Sequence, residues 1–476
     1  MKLLPIPKNF ESTGGTVTLK STLSFDERFS AAAETFRDFA ERIHGVRFEK
    51  NDRGDVRFSF IDGLLEEEYR VDLSKEGCLV FASSCAGAQN AAVTLVQLME
   101  SESGGVAFPS VSISDRPDSA WRGVMIDLAR VFHDIRFLYE YVDMCRFYKL
   151  KYLHLHFNDD QSYTLPSSSF PLLSTPERHY SEEELAGLLR YAKKRGVQIV
   201  PELDIPGHCT AFQKAYGDVF GKNGIISMKE DSLAGVETVL KELCALFKDS
   251  PYIHIGGDEA AISFWTEDED SLSTVRSHPQ IKGLNKQALA EYMYAYFVAR
   301  MCKCVLNEGK TPVVWEGFPA AYNDMIPREA LIMSWENYYQ TTPELLAAGF
   351  DVVNCSWRPM YVVTPKRYWT VKEIYEWSVY TWQGTHPDSP YLETPYHAEP
   401  SAQVKGGQLL AWGDWIVSAY PDHAEGVRAE QRLVEERAPA LAENVWNHQK
   451  RGDWADFSER ISKTGLLYAR LRGDKV

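Results

Sequence analysis

Five absences and scarcities narrow what this chain of 476 residues can be. Its eight cysteines form no CxxC pair, and several lie in apolar stretches, such as Cys145 in YVDMCRFY and Cys244 in LKELCALF. This excludes a disulfide framework and the ligand spacing of a structural zinc site, and it fits free buried thiols in a reducing compartment. No run of ~18 apolar residues occurs, so no membrane span is expected. Positive charge is scarce: 51 Lys and Arg face 67 Asp and Glu, a net charge of −16. Nucleic acid and anionic membranes favour clustered Lys and Arg, so neither is expected as a partner. No Gly-rich phosphate fingerprint follows an early strand. The IGGDE run lies at a late strand and does not open a helix at the right spacing, which disfavours a nucleotide site. The start, MKLLPIPKNF, has only a short apolar stretch broken by prolines and lacks a signal-peptide core. A cytoplasmic location is therefore expected, with secretion as the alternative.

What is present is ample core material. Apolar residues make up 44% and charged residues 25%, as in an ordinary globular protein. Residues 1–115 alternate short strand-like runs (VTLKS, DVRFSFI, EYRVDL, CLVFAS) with two helical ones, TFRDFAERIHG and GAQNAAVTLVQLMES. They predict a small α+β domain. SISDRPDSAW, around 112–121, has the Asp, Pro and Ser of a linker. From Trp121 the pattern becomes strand then helix. Eight apolar strands are predicted: GVMIDLA, KYLHLHF, VQIVPELDI, YIHIGGD, TPVVWEG, LIMSWEN, DVVNCSW and GGQLLAWGDW. Amphipathic helices such as RFLYEYVDMCRFYK and EEELAGLLRYAKKRG lie between several of them. The expected fold is α/β: a (β/α)8 TIM barrel over 116–430, preceded by the small α+β domain and followed by C-terminal helices over 431–476.

Chemistry-bearing residues gather at the predicted strand ends. They are Asp127 and Arg130 on the first strand; His154, His156, Asp159 and Asp160 on the second; Glu202, Asp204 and His208 on the third; and Asp258 and Glu259 on the fourth. Trp315, Trp335, Tyr361, Trp412 and Asp414 follow on the later strands. A barrel brings all these positions to one mouth, where active sites sit. Carboxylates beside indole faces suit a sugar, whose C–H faces pack on rings while its hydroxyls bind acids and Arg. Each feature has a blander reading: core packing for a single Trp, a solvated turn for an Asp-Glu pair, a plain ion pair for Asp127 and Arg130. Asp258 and Glu259 directly follow the apolar YIHIGG, where burial is expected. His154 and His156 alternate with Leu and share one strand face. A hydrogen-bonding role is expected for them before metal ligation.

The pieces WRGVMIDLAR, HLHFNDDQS, PELDIPGH, HIGGDEA with Trp265 downstream, VVWEG and GGQLLAWGD, in that order through 121–415, resemble glycoside hydrolase family 20, the β-N-acetylhexosaminidases. LLPIPKNF and AGAQNAAVTLVQLM resemble the small domain that precedes the family barrel. The resemblance implies an exo-acting, retaining hydrolase without cofactor or metal. Its partner is an oligosaccharide or glycoconjugate with a terminal β-linked N-acetylhexosamine, and a homodimer is admitted. Catalysis in this family is substrate-assisted, an exception to the two-carboxylate scheme: the substrate's acetamido oxygen attacks the anomeric carbon and forms an oxazolinium. By that resemblance Glu259 is the general acid/base, with a pKa raised by burial or a neighbouring charge. Asp258 orients the acetamido N–H, and Tyr361 donates to the acetamido oxygen. Trp315, Trp335 and Trp412 wall the acetamido pocket. Arg130 and Asp414 meet hydroxyls. Asp159 and His208 lie about the substrate as a hydrogen-bonded chain behind the acid/base, with Asp204 and His156 supporting.

Two positions depart from the family pattern. Tyr361-Val362-Val363 stands where Tyr-Leu-Asp is common, and Trp412-Gly413-Asp414 where Trp-Gly-Glu is common. Both bear on O4 and O6 recognition and leave the choice between GlcNAc and GalNAc open. Three other functions are weighed against the exo-hydrolase. One is release of a disaccharide in the manner of a lacto-N-biosidase. Another is a metal-dependent amidohydrolase-type barrel built on the HxH of HLHF. The last is a sugar-binding barrel without catalysis.

Overall fold

The structure, a computed structural model, describes residues 2–102, 105–363, 369–449 and 452–474. The N-terminal domain is a mixed sheet of β1 (Asn9–Leu19), β2 (Thr22–Phe25), β3 (Val56–Phe60), β4 (Tyr69–Ser74), β5 (Gly77–Ala82) and β6 (Gly105–Asp115). Their order is β1-β6-β4-β5-β3-β2. Helices α1 (Ser30–His44) and α2 (Cys85–Leu98) cover one face. The alternation of β4, buried at Tyr69, Val71 and Leu73 and exposed between, is the period-two pattern of a sheet with one wet face.

All eight predicted barrel strands are present: β7 (Trp121–Asp127), β8 (Tyr152–His156), β9 (Gln198–Ile205), β10 (Tyr252–Gly256), β11 (Thr311–Trp315), β12 (Leu331–Ser334), β13 (Asp351–Asn354) and β14 (Val404–Ala411). They pair in parallel in chain order, and β14 closes the ring onto both β7 and β13. Every residue of β7 and β8 is buried, because helices cover one side and the barrel interior the other. The outer ring includes α3 (Ile135–Phe147), α4 (Glu182–Arg195), α5 (Glu230–Leu246), α6 (Lys286–Asn307) and α7 (Thr342–Ala347). Helix α4 shows how the sequence sets its own ends. Ser181 and Glu184 form a capping box, Glu182–Glu184 crowd the first turn, Lys193–Arg195 the last, and Gly196 at φ 67° stops it. Helices α8 (His423–Trp446) and α9 (Trp454–Arg472) complete the chain.

Two boundaries differ from expectation. The 112–121 stretch is half strand: β6 runs to Asp115, with Val111 and Ile113 buried and Ser112 exposed, so only 116–120 link the domains. The serines that read as linker form the polar face of a strand paired on both sides, to β1 and β4. The C-terminal boundary expected at 430 falls inside α8, which runs unbroken across it. Among the described residues no helix is long and apolar enough to cross a membrane.

Candidate active site

The barrel interior is polar at the level where the chemistry begins. Residues Asp127, His156, Glu202 and His254 lie in register across β7, β8, β9 and β10, and all four are buried. Above them β10 ends in Gly256-Gly257. A Cβ at Gly256 would lie 1.9 Å from the Asp204 carboxyl oxygen, and its φ is +69°. Only glycine lets Asp204 of β9 lie against this strand end. The chain then presents Asp258, buried, and Glu259, whose side chain is 51% exposed.

These two acids open on a cleft of about 430 Å³ lined by Arg130, His208, Trp335, Trp357, Tyr361, Val363, Trp412 and Asp414 as well. Two larger hollows among the described residues lie elsewhere on the surface, and neither gathers residues from the ends of the barrel strands. Glu259 (φ 46°) and His208 (φ 45°) both sit in the left-handed region. Non-glycine residues enter it at a cost of ~1–3 kcal/mol, and such strain concentrates at functional sites.

A continuous relay runs from the core to Glu259. Glu202 Oε2 accepts from His156 Nδ1 at 2.7 Å, and Glu202 Oε1 accepts from the Trp315 indole N–H at 2.6 Å. His156 Nε2 reaches Asp159 Oδ2 at 3.1 Å. The other Asp159 oxygen meets His208 Nδ1 at 3.3 Å, and His208 Nε2 lies 3.5 Å from Glu259 Oε2. Arg130 bridges Asp127 at 3.1 Å and Asp159 at 2.7 Å. Its guanidinium also lies 5.0 Å from the Trp412 ring centroid.

His156 and His208 each lie between two carboxylates. Although burial opposes the charge, Glu202 and Asp159 hold His156 well above the usual imidazole range. Asp204, Asp159 and Glu259 do the same for His208. His154 is the contrast: burial pushes it down to about 4. Its Nδ1 accepts from the Gln408 amide at 3.0 Å, which leaves the proton of the neutral ring on Nε2, 3.1 Å from Glu202 Oε2. Asp204 and Asp258 form a buried acid pair. Burial and their mutual repulsion raise Asp204 well above the carboxylate range, and burial foremost lifts Asp258 to about 6. Such a pair shares a proton near neutrality.

The structure brings Arg130, His208, Asp258, Glu259, Trp335, Tyr361, Trp412 and Asp414 to one cleft, as expected. His156 and Asp204 stand behind it. Three expectations change, and one residue not expected joins the wall. Trp315, 1% exposed, does not line the cleft; its N–H is drawn down into the core by Glu202. Trp357, three residues past β13, takes a place on the wall, with its ring 4.0 Å from Tyr361. It was legible only as the last letter of DVVNCSW, a run read as strand throughout. Asp159, 1% exposed, is a buried node of the relay and does not line the cleft. The third change concerns Glu259. Its pKa is lowered, not raised, because the hydrogen bond with the His208 imidazolium outweighs burial.

Among the described residues several His and carboxylate groups have ligand atoms within 4.8 Å of one another, including His154, Glu202 and His254. Glu202 is already the acceptor for the His156 and Trp315 N–H groups. These donors aim protons at the oxygens a cation would need, and an indole N–H is no metal ligand.

The sequence profile of the glycosyl hydrolase family 20 catalytic domain matches residues 120–449, and that of the family's domain 2 matches residues 1–116. A β-hexosaminidase of Vibrio furnissii is 26% identical over 459 residues, covering 87% of this chain and 73% of the relative. A β-N-acetylhexosaminidase of Cellulomonas fimi is 26% identical over 435 residues, covering 85% and 79%. Among solved structures, a β-N-acetylhexosaminidase from Bacteroides fragilis superposes with a TM-score of 0.79 at 22% identity, over 98% of this chain and 96% of that one. An exo-β-N-acetylglucosaminidase from Vibrio harveyi superposes at 0.78 and 22%, over 99% and 77%. The barrel and the domain before it are thus those of glycosyl hydrolase family 20, to which this chain belongs.

Proposed function

We propose that the chain removes terminal β-linked N-acetylhexosamine from an oligosaccharide or glycoconjugate, with retention, through an oxazolinium formed by the substrate itself. The observation that carries this reading is the division of labour between neighbours. Glu259 is half-exposed at the cleft edge, within reach of a leaving oxygen, while Asp258 is buried among the rings that would hold an acetamido group. Protonated Glu259 gives its proton to the glycosidic oxygen as the C1–O bond breaks. The acetamido oxygen forms the new bond to C1, and the Asp258 carboxylate accepts from the acetamido N–H as positive charge develops there. Tyr361 donates its O–H to the same acetamido group. Glu259, now ionised, takes a proton from water, whose oxygen opens the ring at C1 and restores the β configuration.

The test is hydrolysis of 4-nitrophenyl β-glycosides of GlcNAc, GalNAc and a disaccharide, followed by NMR of the first-formed anomer. The β anomer is expected, along with inhibition by an oxazoline-mimicking thiazoline. Glu259→Gln is expected to lower turnover by roughly 10²–10⁴-fold with the fold intact. Near-parental turnover in that variant, or an α product, would overturn the reading. Faster release of the disaccharide than of either monosaccharide would move the specificity to the biosidase type.

A further inference from the structure

Next to the cleft, reached through Trp335, stand two aromatic rings that the proposed chemistry leaves unused. Tyr338 and Tyr339 follow β12, and each is 39% exposed. They are linked to the cleft ring by ring. Tyr361 and Trp335 line it, with centroids 6.3 Å apart. Tyr339 lies 6.4 Å from Trp335 and 4.8 Å from Tyr338, and Tyr338 stacks on the His386 imidazole at 3.7 Å and 22°. After burial, the negative charges of Glu259 and Asp258 are the largest influences raising the Tyr339 hydroxyl. Through Trp335 the two tyrosines extend the aromatic wall of the cleft outward.

The turn beneath the rings is built rigidly. Buried Glu316 accepts from the backbone N–H groups of Trp335 (3.1 Å), Asn337 (2.9 Å) and Tyr338 (2.9 Å). Asn337, at φ 55°, accepts from the Thr342 N–H at 2.6 Å. Glu336 accepts from the Thr385 N–H at 2.8 Å, which ties on the loop that carries His386. Apolar ring surface left in water gains nothing from burial. A fixed turn that holds two such rings is preorganised for a ligand and spares the ordering cost of binding.

We propose that Tyr338, Tyr339 and His386 form the binding site for the sugar ring on the leaving-group side of the scissile bond, a hexopyranose whose C–H face lies on the tyrosine rings. This rests on the reading of Glu259 as proton donor to the leaving oxygen, because the departing sugar must pass that carboxyl. The tyrosines are positioning residues for the leaving sugar and touch no reacting atom.

The experiment compares kcat/KM for a β-1,4-linked GlcNAc disaccharide and for methyl β-GlcNAc in the parent, Tyr338→Ala, Tyr339→Ala and the double variant. Both leaving groups depart as alcohols after taking the Glu259 proton, but only one carries a ring. In the double variant the disaccharide-to-methyl ratio is expected to fall about tenfold, the yield of two modest ring contacts. Tyr338→Phe and Tyr339→Phe are expected to keep it within twofold. A ratio unmoved in the double variant overturns the proposal, whether or not both rates drop. The same ratio with a change of oligomeric state would show that the rings are a protein contact instead. If the parent hydrolyses neither compound, the hydrolase reading fails. The ring site then stands or falls on calorimetric binding of the disaccharide and of free GlcNAc to the parent and double variant. Selective loss of the disaccharide upholds it, and equal affinities sink it.

Discussion

At the scale of residues, Asp258 and Glu259 are chain neighbours whose surroundings drive their acidities apart. Burial lifts Asp258 to about 6, while the His208 imidazolium holds Glu259 below the usual glutamate range. The productive form needs the reverse, an ionised Asp258 and a protonated Glu259. In the free enzyme that form is a minority, and it is largest between the two pKa values. We expect kcat/KM to trace a bell whose alkaline limb lies near pH 6 and whose acid limb lies below the ordinary glutamate value. His208→Asn tolerates the left-handed backbone at that position and removes the imidazolium. Both acids then lose a charge that lowers them, so the whole bell is expected to move to higher pH. A profile that only loses height would show that His208 sets geometry and not acidity. The place of the acid pair at the cleft was legible in the sequence, since Asp258 and Glu259 directly follow the apolar run YIHIGG. The direction of Glu259 was not, because it depends on a ring fifty-one positions earlier in the chain that β9 folds alongside. Nor was the depth of Trp315: a strand-end indole points inward by pattern, but the carboxylate that draws it below the cleft lies on another strand.

At the scale of elements, the turn after β12 is the part of the cleft most dependent on one side chain. The Glu316 oxygens accept from three backbone N–H groups and lie 3.3 Å from Ser334 Oγ. Gln at 316 keeps one oxygen and turns an NH2 toward N–H donors, leaving buried groups unpaired at about 1–3 kcal/mol. Glu316→Gln is expected to lower the unfolding midpoint by that amount. It should also raise KM for β-GlcNAc glycosides, because Trp335 rides on the same turn and its indole N–H donates to the Glu316 carbonyl at 2.9 Å. A thermal melt and a Michaelis curve on one preparation decide it, and an unchanged melt would show that water replaces the carboxylate. The eight barrel strands were readable as apolar runs too short for helices, since burial on both faces erases the period and leaves length to decide. The strand at 105–115 was not, because its exposed serines mimic a linker and its partners lie far away in sequence.

At the scale of the whole molecule, the N-terminal domain is joined to the barrel through buried charge. Asp115, the last residue of β6, has no exposed side-chain surface. It accepts from Tyr69 Oη of its own sheet at 2.6 Å, from the Trp446 indole at the end of α8 at 2.9 Å and from the Lys8 N–H at 3.0 Å. It also faces Lys149 Nζ, just past α3, at 3.3 Å. Burial pushes that lysine down to about 8 even with Asp115 beside it. A buried Arg122–Glu67 pair lies at the same interface. Asp115→Asn removes the one charge that holds a buried ammonium, and breaking a pair of this kind costs ~3–5 kcal/mol. The cost falls on both units at once, since the donors to Asp115 come from the sheet, the barrel and the last barrel helix. Denaturant unfolding of the variant should therefore show near-UV circular dichroism and hydrolytic activity lost together, at a lower midpoint than in the parent. If activity survived a first transition in which the N-terminal sheet melted, the domains would be independent and the buried charge at their junction only a local fastening. If Asp115→Asn left the midpoint unmoved, Lys149 would have to be neutral in the parent, and the junction would rest on its apolar contacts alone.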